Sequence, residues 1–77
     1  MQVKVYAPAF LDHKSIDSKG MMEIPPGSTL AEVYKKLKAP LIIWPVLLSS
    51  INYEKSALNR TLNDGDVVSI YFPLSGG

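Results

Sequence analysis

The sequence predicts an α+β fold in which four to five strands form one mixed sheet and one main helix packs on one face. Short runs that alternate or are rich in β-branched residues recur along the chain, and only one stretch shows helical apolar periodicity. Turn signals rich in proline, glycine and asparagine separate these runs. A single helix covers one face of one sheet, so we expect one domain spanning residues 1–77.

Charge, apolar content and cysteine usage exclude several classes of protein. The net charge of +1 over 77 residues gives no basic surface of the kind that binds nucleic acid or anionic membranes. The longest apolar run, residues 40–48, is shorter than the ~20 residues of a membrane span. Residues 1–5 alternate, unlike a signal peptide, so we expect a cytoplasmic protein. Without cysteine, the chain has no disulfide, thiolate ligand or thiol nucleophile.

The N-terminal third of the chain predicts a hairpin. Residues 2–7 alternate polar and apolar and place Tyr6 on the exposed face of a half-buried strand. Residues 20–24 form a second strand, which the proline and glycine residues at 25–27 end. The connecting loop contains His13, which lacks obvious orienting partners, so we interpret it as a surface residue and not as a general base.

One amphipathic helix follows. Thr29 and Glu32 have the spacing of a capping box, and Pro40 ends the element. The predicted apolar stripe consists of Leu30, Val33, Tyr34 and Leu37. Three lysines lie toward the other side and in the last turn, namely Lys35, Lys36 and Lys38. We interpret the lysines as a solvated face, with a docking patch as the alternative.

Residues 41–45 permit two interpretations. They are too apolar for an ordinary loop and are bounded by prolines. We expect them to pack beneath the helix in the core, with Trp44 partly exposed. The alternative is an exposed patch that a partner covers.

The C-terminal half predicts the remaining strands of the sheet. We expect a strand over residues 46–51, a turn over 52–55, a weak strand within 56–62 and a final strand over 67–72. In the final strand the core-facing residues are Val68 and Ile70, and the outward-facing residues are Ser69 and Tyr71. The first and last strands are expected side by side in the middle of the sheet.

A strong turn signal precedes the last strand. Asp64 and Asp66 flank a glycine within residues 63–66, which resembles part of a calcium loop. The later glutamate of such a loop is missing, so we expect a plain turn.

The chain's last five residues, 73–77, are predicted to form a flexible tail. Pro73 has no N–H to donate to a sheet, so strand pairing should stop there. Gly76 and Gly77 lack a Cβ and fit a slot too narrow for other residues. A terminal Gly-Gly is by itself a weak signal that arises by chance or from a truncated linker.

Several features together resemble a known family. The turn Leu-x-Asp-Gly-Asp at residues 62–66, the step from an aromatic residue to Pro73 and the terminal Gly-Gly are similar to the MoaD/ThiS family of ubiquitin-like β-grasp sulfur carriers. The length and ending are most similar to MoaD, the small subunit of molybdopterin synthase. Three departures occur: Asn52-Tyr53 replaces an Asn-Gly turn, Phe72 replaces a proline, and residues 41–45 have no counterpart.

The resemblance implies a carrier protein and not a stand-alone enzyme. A ubiquitin-activating-type enzyme would use ATP to adenylate the Gly77 carboxylate, and a persulfide donor would convert it to a thiocarboxylate. The large subunit of molybdopterin synthase would then receive the sulfur, and the carrier itself would bind no cofactor, metal, nucleic acid or membrane. The residues that the resemblance assigns to partner binding are Gly76, Ser75, Leu74, Phe72, Tyr71 and Tyr6.

Other functions remain open at the level of the sequence. The same chemistry serves thiamine or tungsten-cofactor pathways, or protein tagging through an isopeptide bond. A different class is a β-grasp interaction module whose terminal glycines have no chemical role.

Overall fold

The computed structural model describes residues 1–73, in which one mixed sheet of five strands packs against a helix. In chain order the elements are β1 (Gln2–Tyr6), β2 (Met21–Glu23), α1 (Leu30–Lys36), a 3₁₀ helix (Leu41–Val46), β3 (Leu48–Ile51), β4 (Glu54–Lys55) and β5 (Val67–Tyr71). The strand order is β2-β1-β5-β3-β4, with β1 and β5 parallel and the other pairs antiparallel. The predicted class and the central position of the first and last strands are confirmed. Within residues 1–73, no helix has the length and apolar character that crossing a membrane requires.

The core lies between α1 and one face of the sheet. The predicted helix stripe is buried along its whole length. The sheet contributes alternate residues to the same layer, as a pleated strand requires. These sheet residues are Val3, Val5, Met22, Ile51, Val68 and Ile70. Each such burial contributes roughly 1.5–3 kcal/mol relative to exposure, so this layer is the main source of stability.

Helix α1 begins without the predicted capping box. Thr29 is the N-cap residue, but its side chain makes no capping hydrogen bond. Glu32 instead lies beside Lys35, with Oε1 3.5 Å from Nζ. The prediction was wrong because backbone carbonyls of a distant loop satisfy the first helical N–H groups. The Leu30 amide donates to the Arg60 carbonyl at 3.1 Å, and the Ala31 amide donates to the Leu58 carbonyl at 3.0 Å.

Residues 41–45 do not form part of the core. None of the residues of the 3₁₀ helix is buried, and Leu41 and Ile42 are 73% and 86% exposed. Ile43 and Trp44 pack partly against the core. Partial exposure of Trp44 is therefore confirmed, and core packing of Leu41 and Ile42 is wrong. A 3₁₀ helix has three residues per turn, so its side chains project in three directions and only some of them reach the core.

The strand expected within residues 56–62 is wrong, because β4 lies earlier, at Glu54–Lys55. Asn52 and Tyr53 have φ values of 52° and 69°, the left-handed conformation of a two-residue hairpin turn. This turn reverses the chain at once, so Glu54 pairs with Ile51. Residues 56–62 consequently lie over the start of α1, where their carbonyls accept the helical N–H groups.

Ser69 faces outward as predicted, but its side chain is only 3% exposed. It lies on the sheet face that α1 does not cover, as the alternation of β5 predicts. Tyr6 on one neighbouring strand and Ser50 on the other are its partners in register. A small side chain between larger neighbours is shielded from solvent even on an open face.

The predicted turn at residues 63–66 is confirmed. Both carboxylate oxygens of Asp66 accept hydrogen bonds from the protein: Oδ2 from the Asn63 amide at 2.8 Å and Oδ1 from Asn52 Nδ2 at 3.0 Å. Asp64 Oδ1 accepts the Gln2 amide at 2.8 Å. Within residues 1–73, no group of three His, Cys, Asp or Glu side chains is placed to hold a metal.

Tyr34 makes stability sensitive to alkaline pH. Its hydroxyl hydrogen-bonds to Ser49 Oγ inside the core, and burial raises the pKa of Tyr34 above its ordinary value of 10.0. The unfolded chain therefore loses this proton first, so the stabilisation is complete below pH 10.0 and decreases as pH rises through the folded-state pKa. We expect the free energy of unfolding, measured in urea between roughly pH 8 and 11, to fall less in Tyr34→Phe than in wild type. Equal slopes in the two proteins would contradict this assignment.

Candidate functional site

The sheet face opposite α1 presents a group of large apolar side chains. Tyr6 and Tyr71 are 53% and 57% exposed and project from the adjacent strands β1 and β5. Tyr6 pairs in register with Ser69, two residues before Tyr71, so both tyrosines lie on the same face. Leu48 of β3 pairs with Tyr71 on the other side. Three neighbouring strands therefore contribute apolar surface at the end of the sheet where β5 stops.

A groove of about 430 Å³ lies at this end of the sheet. We name it the aromatic groove. Its lining residues are Tyr6, Ala7, Pro8, Phe10, Ile70, Tyr71 and Phe72. A smaller cavity of about 200 Å³ extends the apolar surface across β3. Its lining residues are Leu48, Ser49, Ser50, Lys55 and Tyr71. Tyr71 lines both cavities and therefore lies at the centre of the surface.

Phe10 forms one wall of the aromatic groove and contacts the end of β5. Its ring packs edge-on against Phe72, with ring centroids 5.2 Å apart and an interplanar angle of 69°. This geometry is favourable for aromatic pairs. Phe72 is half-buried and immediately precedes Pro73, the last described residue. The contact between Phe10 and Phe72 thus fixes the position from which residues 74–77 continue.

The loop that presents Phe10 is held by several hydrogen bonds. The Leu11 amide donates to the Pro8 carbonyl at 3.1 Å, and His13 Nε2 donates to the same carbonyl at 2.9 Å. The Asp12 amide donates to the Leu37 carbonyl at the end of α1, 2.9 Å away. His13 is exposed, as predicted, and its observed contact supports the loop conformation.

Asp12 adds an electrostatic link between this loop and α1. The Lys14 amide, 2.8 Å from Asp12 Oδ1, and the Lys38 ammonium hold the pKa of Asp12 below its ordinary value of 3.8. Lys38 Nζ lies 3.6 Å from Asp12 Oδ2. The carboxylate is therefore ionised at neutral pH and ties the groove loop to the C-terminal end of the helix.

The structure brings together three of the residues predicted to bind partners. Tyr6 and Tyr71 share the open face, and Phe72 lies beside them at the groove. Their role in binding stays a prediction. The other predicted positions lie outside the described residues: Leu74, Ser75, Gly76 and Gly77. Of the predicted tail 73–77, the structure describes only Pro73.

Sequence reasoning missed Phe10 and Leu48. Phe10 occurs in a loop, where no periodicity indicates which way a side chain faces. The apolar run from Tyr6 to Leu11 was the available signal, because so many apolar residues are unusual around a proline in an exposed loop. Leu48 was assigned to a strand, and its outward position follows only from the register with Tyr71.

Comparisons with known proteins identify the fold. No protein-family model matches the sequence, and no curated protein matches it either. Among solved structures, the crystal structure of SAMP1 from Haloferax volcanii matches with a TM-score of 0.64 and 18% identity. The match covers 100% of this chain and 98% of SAMP1. This chain therefore has a ubiquitin-like β-grasp fold.

Proposed function

We propose that this protein is a sulfur carrier whose Gly77 carboxylate is activated and converted to a thiocarboxylate, most directly for molybdopterin biosynthesis. The observation that supports the proposal is the aromatic groove at the end of β5, close to Pro73, the last described residue. An enzyme that receives the C-terminal residues would need a fixed apolar surface beside them. Tyr6, Phe10 and Tyr71 provide such a surface.

The proposed chemistry begins with activation of a poor acyl donor. The Gly77 carboxylate attacks the α-phosphate of ATP in the partner enzyme, which forms an acyl-adenylate and releases pyrophosphate. The outer sulfur of a persulfide then attacks the carbonyl carbon and displaces AMP. A thiol of the partner cleaves the resulting sulfur–sulfur bond, which leaves a thiocarboxylate on the carrier and a disulfide on the partner.

The composition of this chain suits that role. It contains no cysteine, so a sulfur atom has no side chain to occupy and the terminal carbonyl carbon is the available attachment point. Gly76 and Gly77 are the smallest residues that can occupy a catalytic channel. The chain would supply no acid, base or metal to the reaction, and the partners would perform the chemistry. These partners are the activating enzyme with its ATP, the persulfide donor and the large subunit of molybdopterin synthase.

The adenylation step is tested by exchange of labelled pyrophosphate into ATP. We expect the protein to stimulate exchange by the ubiquitin-activating-type enzyme encoded in the same genome. Exchange without later sulfur incorporation, together with an isopeptide bond to a lysine, would assign the protein to protein tagging. Absence of exchange would instead favour an interaction module without carrier chemistry.

Replacing Tyr71 by serine is expected to weaken binding to the activating enzyme by about 10- to 100-fold. A large aromatic residue at the centre of an apolar surface is the usual form of a binding hot spot. We expect Tyr6→Ser to have a smaller effect, since Tyr6 lines only one of the two cavities. Isothermal titration calorimetry measures both affinities.

The matched control for these variants is Tyr53→Ser. Tyr53 is 79% exposed and lies in the turn after β3. Leu48 lies at the other end of this strand, so Tyr53 is away from the aromatic groove. Its replacement removes a similar exposed ring and should leave the affinity unchanged. If Tyr71→Ser binds as tightly as Tyr53→Ser, the aromatic groove is not the binding surface.

A further inference from the structure

The 3₁₀ helix exposes aliphatic side chains that the aromatic groove does not include. Ile42, at 86%, is the most exposed large apolar residue of the described chain, and Leu41 beside it is 73% exposed. Val46 at the end of the same helix is also exposed. Single exposed apolar residues are common on protein surfaces. An adjacent pair so fully exposed, with a third nearby, is typical of an interaction site.

The main chain beneath these residues is held firmly in place. Trp44 Nε1 donates to the Ala39 carbonyl at 2.8 Å, and its ring packs edge-on against the buried Tyr34 with centroids 5.2 Å apart. The Leu47 amide lies 3.2 Å from the carbonyls of both Ile43 and Trp44. Leu41 and Ile42 therefore project from an ordered turn, and binding them would cost little additional backbone entropy.

The segment of the chain that contains this turn carries only positive charges. Residues 33–53 contain three lysines and no acidic residue, whereas the rest of the chain contains five basic and seven acidic residues. All three lysines are exposed and lie in the last turn of α1 or just after it. Lys35 faces Glu32 at 3.5 Å and Lys38 faces Asp12 at 3.6 Å, while Lys36 has no ion pair within the described residues.

The turn leads into the strand that lies beside β5. The 3₁₀ helix leads into β3, whose first residue, Leu48, pairs with Tyr71. Leu48 follows Ile42 by six positions, which at the rise of a 3₁₀ helix and a short extended segment amounts to about 15 Å. On the other side, Asp12 joins the end of α1 to the loop that presents Phe10. A single partner surface of ordinary size spans both features.

We propose that Leu41, Ile42 and the neighbouring lysines form a second docking surface, which fits an apolar cleft rimmed by carboxylates on the activating enzyme. This inference rests on the proposed carrier function. The aliphatic pair enters the cleft, and Lys36, which has no ion pair within the described residues, faces the acidic rim. A protein partner fits better than a membrane because one partner of ordinary size can reach both this surface and the groove at the end of β5. In addition, three lysines give too little charge for stable anchoring to lipid.

The test uses a double variant that carries both Leu41→Ser and Ile42→Ser. Its binding is compared with that of wild type. We expect the dissociation constant for the activating enzyme of the same genome to rise at least about tenfold in the double variant. Tyr53→Ser, which removes an equally exposed apolar side chain elsewhere, should bind like wild type. Because Leu41 and Ile42 are exposed, thermal unfolding should show the same midpoint in all three proteins. Unchanged affinity in the double variant would overturn the proposal.

The acidic rim is tested by charge reversal. Lys36→Glu should weaken binding about three- to tenfold at low salt, with a smaller effect at high salt because salt screens the charges. Lys19→Glu changes the net charge equally, but on the loop before β2, and should have no effect. Equal losses in the two variants would show that only net charge matters and would overturn the acidic rim.

Other occupants give different results. Binding of wild type, but not of the double variant, to vesicles of phosphatidylglycerol and phosphatidylcholine would overturn the proposal in favour of a membrane. A dimer in light scattering that only the double variant loses would overturn it in favour of a second copy. If adenylate forms and the double variant binds the activating enzyme as tightly as wild type, the proposed docking surface is wrong and the carrier function stands. If the double variant binds more weakly than wild type but no adenylate forms on either protein, the docking surface stands and the carrier function is wrong.

Discussion

Deletion of Gly77 is expected to reduce adenylate and thiocarboxylate formation by more than about 100-fold while leaving the fold intact. The shortened chain still ends in a carboxylate, but that group lies about 3.5 Å short of the reacting position. A displacement of 1 Å can cost about 100-fold in rate when reacting atoms must be aligned. All five strands, the helix and the core lie within residues 1–73, so the fold does not depend on the last residue.

The matched control keeps the length of the tail. Tyr53→Ser changes an exposed side chain in the turn after β3 without altering the tail or its terminal carboxylate, and it should retain most of the activity. A variant extended by one alanine should be inactive like the deletion, because its carboxylate lies beyond the reacting position. Full activity in the deletion or in the extended protein would show that the terminal carboxylate of Gly77 is not the reacting group.

Replacement of Tyr34 by alanine is expected to lower the free energy of unfolding by about 3–5 kcal/mol. Tyr34 is fully buried, contacts Trp44 edge-on and hydrogen-bonds to Ser49. The alanine variant leaves a cavity and a buried serine hydroxyl without this partner. Domains of this size have about 4–12 kcal/mol of stability in total, so this loss removes a large part of the stability.

The comparison with Tyr34→Phe separates packing from hydrogen bonding. Phenylalanine keeps the ring against Trp44 and removes only the hydroxyl, so we expect a loss of about 1–2 kcal/mol. Urea denaturation at neutral pH measures both variants, and the slope of the transition reports whether the unfolded state has changed. Equal losses in the two variants would mean that the ring contributes little and that the hydrogen bond to Ser49 dominates.

Local pattern was sufficient to predict the helix face and most of the strands. The stripe from Leu30 to Leu37 follows from helical periodicity, and the outward positions of Tyr6 and Tyr71 follow from strand alternation. The turn at residues 63–66 follows from its aspartates and glycine. These features depend on near neighbours in sequence, which a single sequence displays directly.

Features that depend on distant contacts could not be predicted. The start of α1 is satisfied by carbonyls from residues 58 and 60, so the capping box that the sequence favours was not needed. Leu41 and Ile42 look like core residues by composition, but two prolines and a 3₁₀ geometry turn them outward. Phe10 forms a wall of the aromatic groove because contacts with the end of α1 hold its loop in place. These contacts join residues far apart in the sequence, so no local pattern predicts them.

The proposed chemical role of the tail rests on resemblance to a family and on no local physical pattern. Residues 74–77 lie outside the described structure, which ends at Pro73. The exposed tyrosines and Phe10 beside that point are consistent with partner binding.

The most direct measurement is the intact mass of the native protein after incubation with the activating enzyme, ATP and a persulfide donor. We expect a mass increase equal to the replacement of one oxygen by one sulfur, located by fragmentation to Gly77. An adenylate of the same residue should appear when the persulfide is omitted. A native chain that continues past Gly77 without being trimmed, or a mass that stays unchanged under both conditions, would contradict the sulfur-carrier function.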